Sequence, residues 1–279
     1  HIEKELPRSW RTQLLRLGMR MVVPFRGRFG LVLFLGRLFR KHLSPTLRAK
    51  VELPIAAAGP WPDKPRKRRM LVWTGCAQPS LGPSINPAAA RVLDRFGIRL
   101  ETGDEGCCGA LSLHMAAPED SLSHMRRNID ALWPQVESGI EAIVLTASGC
   151  GAHMRDYGKL LADDPRYAAK AQRITELVRD ISEVVAAEWH ENLLPIPPRA
   201  GPAPRIAWQS PCSLQHGQGI TGVVEDILKR AGFKLALTDY PFLCCGSAGS
   251  YSVLEPELAA GLREAKLKNL LATRATLIA

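Results

Sequence analysis

Residues 103–110 read GDEGCCGA and residues 242–249 read FLCCGSAG. A Cys-Cys-Gly triplet written twice in one chain is the stretch whose reading decides the fold, because the surroundings of the two copies also match. Upstream of the first pair, Arg69–Cys76 (RMLVWTGC) is a short apolar strand ending in a cysteine. Upstream of the second, Arg205–Cys212 (RIAWQSPC) has the same form. The single cysteine and the pair are 31 positions apart in the first copy and 32 in the second. Each interval contains a helix-to-glycine reading, Val92–Leu100 (VLDRFGIRL) and Ile227–Leu235 (ILKRAGFKL). Each pair is followed by a second helix, over 119–136 and 255–271, and then by an apolar strand, Ala142–Thr146 and Ala275–Ala279.

Strand, helix, strand, helix, strand in each copy predicts an α/β fold of two tandem βαβαβ units with parallel sheets. The expected domains are a basic helical arm over 1–68, a first copy over 69–194 and a second over 205–279. The five-proline stretch 194–204 (LPIPPRAGPAP) is the boundary, and helices around 174–189 close the first copy. In open parallel sheets the loops at the carboxyl ends of strands share one edge. Cys76, Cys107, Cys108 and Cys150 all follow strands, so four residues far apart in sequence are expected to meet there, with Cys212, Cys244 and Cys245 as the second set.

Charge is uneven. The net charge is +10, and residues 1–50 hold twelve Lys and Arg against Glu3 and Glu5, which accounts for all of it. An electrostatic partner is therefore met by the arm, where Arg alternates with Leu, Val and Phe over Trp10–Arg40. That arm reads either as a helix pair docked on the body or on a partner subunit, or as a segment adsorbed to a membrane surface. No nucleic-acid motif accompanies it. Its longest apolar run, Leu31–Leu35, is far short of a membrane span. No secretory signal is visible, so the seven cysteines are expected to be reduced and the chain cytoplasmic, peripheral at most on the inner face of the membrane. Phosphate loops and nucleophile elbows are absent from the sequence, so no substrate chemistry of its own is expected. The start at His1 and the stop after an apolar run read as a piece of a longer protein, continuing past Ala279 with a cysteine that matches Cys150 about four residues on.

Free cysteine is commonly buried in cores, but random core thiols would not recur at matching positions in two copies. Structural zinc draws on close Cys-x2-Cys knuckles, a spacing these vicinal pairs lack. Neighbouring thiolates can serve different irons of a cluster, so an iron-sulfur centre suits them better. His114, His153 and His216 are further candidates for ligands or for donors to sulfur; Met115, Met125 and Met154 read as core. Asp104 and Glu105 read as a solvated turn.

The single Cys, the Cys-Cys-Gly about thirty residues later and the further cysteine loop resemble the cysteine-rich CCG domain of heterodisulfide reductases, lactate-utilisation proteins and glycolate oxidase (glycolate dehydrogenase) iron-sulfur subunits. WTGCAQ (73–78), GDEGCCGALSLH (103–114), SGCGAHMRDYGKLL (148–161), RDISEVV (179–185), CSLQHGQGI (212–220) and DYPFLCCGSAGSYS (239–252) carry the likeness, which is nearest to the glycolate oxidase group. The resemblance implies an electron-transfer subunit with 4Fe-4S-type centres ligated by the seven cysteines, and FAD held only on partner subunits. Two departures bear on it. Ala147 stands where the family's closing Cys-x-x-Cys has its first cysteine, leaving four ligands for an ordinary four-iron cluster or zinc. Gln209-Ser-Pro-Cys-Ser213 replaces the family's His-Asp-Pro-Cys-His.

Overall fold

The computed structural model describes residues 8–44, 47–48, 51, 57–191 and 201–279, with only the backbone of residues 190 and 191. Most of the proline-rich boundary thus lies outside the described residues. The chain clusters into two compact units, His1–Arg179 and Asp180–Ala279.

In the first unit two helices, α1 (Trp10–Val22) and α2 (Arg26–Leu38), form the arm. Ser9 caps α1, its hydroxyl accepting from the Thr12 amide at 3.3 Å. The arm is stitched to the body by arginines: Arg20 pairs with Asp120 at 2.6 Å and Arg37 donates to the Ser80 carbonyl at 3.1 Å. The remainder runs β1 (Arg68–Trp73), α3 (Ile85–Arg95), β2 (Ile98–Thr102), α4 (Pro118–Glu137), β3 (Ile143–Leu145), α5 (Ser148–Arg155), α6 (Ala168–Leu177) and β4 (Val178–Asp180). Sheet order is β2-β1-β3-β4, and β1 pairs in parallel with both β2 and β3. A central parallel strand is covered on both faces; accordingly Met70, Leu71, Val72 and Trp73 are all buried. The core beneath the sheet joins Leu71, Trp73, Met125, Ile129, Leu132, Leu145, Met154 and Tyr157. The sequence reading puts helices around 174–189, and the structure has them on either side of a short strand, β4, that the reading does not include.

The second unit runs α7 (Ile181–Glu191), β5 (Arg205–Ala207), α8 (Val223–Arg230), β6 (Lys234–Leu235), α9 (Pro256–Ala272) and β7 (Leu277–Ile278). Its sheet is parallel with order β6-β5-β7. The helix α7 packs on α8 and so groups with this unit. Both α4 and α9 open with proline followed by acid, Pro118-Glu119 and Pro256-Glu257. Proline at the first turn gives up only an amide that has no helical partner, and the carboxylate faces the positive end of the helix dipole.

Strand register bears out the repeat in its first half. Met70 aligns with Leu100 and Ile206 with Leu235, so the two opening strands meet equivalent partners. The third strand needs a correction. Leu71 pairs with Ile143, and Ile206, the match of Met70, pairs with Leu277. Ala142 therefore corresponds to Leu277, two residues beyond the Ala275 of the sequence alignment. A slip of two keeps every side chain on its face of the sheet, so alternation could not reveal it.

Candidate functional site: a buried thiol cluster

The first four cysteines meet as expected. Cys76 follows β1, Cys107 and Cys108 lie between β2 and α4, and Cys150 sits in the first turn of α5. The Cys108 thiol donates to Cys150 Sγ at 3.4 Å, and side-chain interactions that shift their titration also link Cys76 to Cys107 and Cys107 to Cys108. Cys107 and Cys108 are buried. The contact with Cys107, then burial, pushes the Cys76 thiol far above its usual range. The Cys107 thiol is pushed up to about 12, chiefly by its contact with Cys108, against an opposing contact with Cys76. For Cys108 the contact with Cys107 works downward, but Cys150 and burial outweigh it and its pKa lies well above the usual value. These three groups are held as neutral thiols at pH 7. Among the described residues, no three His, Cys, Asp or Glu groups are arranged to hold a single metal ion. The thiols form a contiguous chain of contacts.

The cysteine pair is fixed from behind. On α4, fully buried Asn128 donates to the Cys107 carbonyl at 2.6 Å and accepts from the Gly106 amide at 2.9 Å. Tyr157 donates to the Cys108 carbonyl at 2.7 Å. Gly109, with φ +98°, closes the triplet: a β-carbon there would lie 2.9 Å from Ser121 Oγ and 3.0 Å from the Ser121 carbonyl. Only glycine takes that backbone angle freely while sitting directly on the helix. Gln78 bridges Asn86 and Thr146 at 2.8 and 2.7 Å, tying the loop after β1 to the loop after β3.

One expectation is overturned. Glu105 is not in a solvated turn; it is buried, with its side chain fully enclosed. Its Oε1 accepts from the Thr74 amide at 2.7 Å and from the Thr74 hydroxyl. Arg26 of α2 reaches the same point. It donates to the Gly75 carbonyl at 2.7 Å, to Glu105 Oε1 at 3.1 Å, and to the Thr74 hydroxyl and Glu105 carbonyl. One arm residue therefore clamps the loops of both Cys76 and Cys107. Arg26, Asn128 and Tyr157 carried no signal in the sequence, because each acts across 20 residues or more.

Several buried polar atoms around the thiols have no hydrogen-bond partner: Trp73 Nε1, Glu105 Oε2, Ser121 Oγ and His153 Nε2. The Ser121 and His153 atoms lie 2.9 and 3.3 Å from the β-carbon position of Gly109. An orphaned buried donor costs about 1–3 kcal/mol, so three donors beside four thiols fit a sulfur-rich acceptor at this place. His153 packs edge-on against Tyr157 with ring centroids 5.8 Å apart. Burial, with His114 adding, pushes its pKa down to about 4, which keeps it neutral. His114 itself is exposed.

The second set is open. Cys212 and Cys244 are exposed and Cys245 is half-buried. Cys244 Sγ accepts from the Gly246 amide at 3.4 Å, and no hydrogen bond joins one thiol to another among the described residues of this unit. Gly246, with φ +69°, repeats the seat of Gly109: a β-carbon there would collide with the Ala259 carbonyl oxygen on α9. The indole N–H of Trp208, just after β5, is orphaned like that of Trp73 at the end of β1. Exposed His216 lies 5.9 Å, ring to ring, from Phe242. Burial lowers the pKa of Lys266 on α9, with Cys245 and Cys244 acting in the opposite direction.

The chain is 43% identical over 272 residues to the glycolate oxidase iron-sulfur subunit of Escherichia coli (strain K12), covering 96% of this chain and 65% of that protein. Against the probable glycolate oxidase iron-sulfur subunit of Bacillus subtilis (strain 168) it is 28% identical over 218 residues, 77% of this chain and 47% of the relative. One subunit of the dihydromethanophenazine:CoB–CoM heterodisulfide reductase of Methanosarcina mazei is 23% identical over 224 residues, 76% of this chain and 51% of the relative. The chain thus spans about half to two thirds of the length of these curated relatives. The CCG cysteine-rich domain matches residues 70–155 and 206–279, more than half of the sequence. With its two parallel sheets and two glycine-seated cysteine pairs, the chain belongs to the CCG cysteine-rich domain family and carries that domain in two copies.

Proposed function

We propose that this chain is the two-copy portion of an iron-sulfur electron-transfer subunit in an FAD-linked complex that oxidises glycolate to glyoxylate. The observation that carries this reading is the contiguous set of thiols Cys76, Cys107, Cys108 and Cys150, faced by orphaned buried donors. In it, those four cysteines hold a four-iron centre in the first copy, while Cys212, Cys244 and Cys245 hold the second, with zinc at one site as the rival occupant. Such a centre supplies one-electron transfer.

The protein's own residues do the rest. Asn128 and Tyr157 fix the carbonyls of Cys107 and Cys108, and Arg26 with Glu105 fixes the loops on either side. Trp73, Ser121 and His153, whose buried polar atoms have no partner within the chain, would donate to the sulfur of a bound centre. Neutral thiols lose their protons when metal binds, so uptake strengthens as pH rises. The arm, with exposed Leu14, Leu17, Leu31 and Phe34, is the surface for flavin-bearing partners; the cytoplasmic membrane face is its rival occupant. Among the described residues no helix is long and apolar enough to cross a membrane.

Anaerobic purification with iron, acid-labile sulfide and zinc analysis tests the centre. Iron with sulfide is expected, and stoichiometric zinc without sulfide would leave only a structural scaffold. Glycolate-dependent reduction in the complex with its flavin partners tests the substrate. Reduction by lactate alone would move the chain to the lactate-utilisation branch of the family.

A further inference from the structure

The helices that follow the two cysteine pairs bury matching positions. Ser121, Asn128 and Leu132 on α4 correspond to Ala259, Lys266 and Leu270 on α9, counted from the proline that opens each helix. All six are buried. The fourth residue of each helix receives the glycine of the Cys-Cys-Gly triplet. The eleventh reaches back to the cysteine loop: Asn128 Nδ2 donates to the Cys107 carbonyl at 2.6 Å, and Lys266 Nζ donates to the Pro241 carbonyl at 3.0 Å. A neutral amide in the first copy is thus replaced by an ammonium in the second.

A buried ammonium is costly unless a negative group balances it. Lys266 is 3% exposed, and no carboxylate forms an ion pair with it among the described residues. Its hydrogen bond to Pro241 goes to a neutral carbonyl, and that carbonyl lies three residues before Cys244 in the loop that carries the cysteine pair. We infer that Lys266 is the fixed counter-charge of the second cysteine site, holding its loop through Pro241 and favouring the more negative, reduced state of the group bound there. This rests on the iron-sulfur reading. One electron entering the site adds one negative charge, which Lys266 stabilises and which Asn128 in the first copy does not match. At an effective dielectric constant of about 20, a unit charge roughly 10 Å away changes a one-electron equilibrium by a factor on the order of ten.

The test is a potentiometric titration of both centres, followed by electron paramagnetic resonance, in the iron-loaded full chain. Lys266→Met should shift the oxidised-to-reduced ratio of the second centre about tenfold toward oxidised at fixed potential, about 59 mV for a one-electron couple. Lys266→Arg should restore it, and the first centre should not move. The reciprocal Asn128→Lys should shift the first centre toward reduced, which keeps the inference testable if Lys266→Met does not fold. A Met variant that titrates like the parent, Met and Arg variants that shift alike, or an unmoved first centre in Asn128→Lys would overturn the counter-charge role. Iron confined to the first copy, seen as its complete loss in Cys108→Ser, would overturn the inference and leave the first-copy reading standing. Absence of iron and sulfide from the whole chain would remove both.

Discussion

The two Cys-Cys-Gly loops are seated in the same way and surrounded in different ways. In each, a left-handed glycine rests on the fourth residue of the next helix, Ser121 or Ala259. Beyond that seat the copies part. The first pair is buried, joined to Cys76 and Cys150, and backed by Asn128, Tyr157 and Arg26. The second has exposed Cys212 and Cys244 above a small core of Ala207, Ala236 and Leu270. The triplet therefore positions two sulfurs relative to a helix and does no more. A dry, connected site is made by the residues that pack around it.

The contrast would break most visibly through the cysteines. Cys108→Ser should abolish iron in the first copy and leave the second copy folded, as read by iron analysis and hydrogen exchange; loss of structure in both units would mean a shared core. Alanine at Gly246 should cost about 2–4 kcal/mol, because strain at positive φ adds to a collision with the Ala259 carbonyl oxygen. At Gly109 the cost should be smaller, since the nearest atom is the rotatable Ser121 hydroxyl. Thermal unfolding resolved by unit checks this, and equal losses at the two glycines would show that the seats do not differ in this way.

Acid should separate the units. His153 is held down to about 4 by burial, against about 6.5 in an unfolded chain. Between these values the unfolded state binds more protons, so stability is full above about pH 6.5 and falls as pH drops toward 4, with about 2 kcal/mol lost at pH 5. Buried His124 acts in the same direction, whereas His216 of the second unit is exposed. Denaturant unfolding of the metal-free chain at pH 7 and 5 should show the loss in the first unit, and His153→Gln should reduce it. The smallest expected change comes from the arm. Arg26→Met removes charge-assisted hydrogen bonds to Glu105, about 1.5 kcal/mol in the first unit alone. Adding Glu105→Gln should recover part of it, and no recovery in the double variant's melting point would count against the clamp.

Much of this was legible in the sequence, and for identifiable reasons. The strand-to-cysteine repeat, the near-equal spacings and the carboxyl-edge rule are together enough to bring Cys76, Cys107, Cys108 and Cys150 to one point. Local pattern fails where the partner is distant. Glu105 looks like a turn residue because its company, Thr74 and Arg26, lies 31 and 79 residues away. The strand β4 is too short to interrupt a helical pattern, and the register of β7 was missed by an even number of residues, the one error alternation cannot register.

The arm's arginine contacts impose an order on synthesis. Arg20, Arg26 and Arg37 leave the ribosome before any of their partners, Gly75, Ser80, Glu105 and Asp120, exist. The arm therefore waits for the body, and the first copy can close over its thiols only after Cys150 and Tyr157 have emerged. A graft that moves residues 69–179 into another scaffold without the arm would bring along Glu105 as a buried carboxylate stripped of the Arg26 guanidinium that balances it.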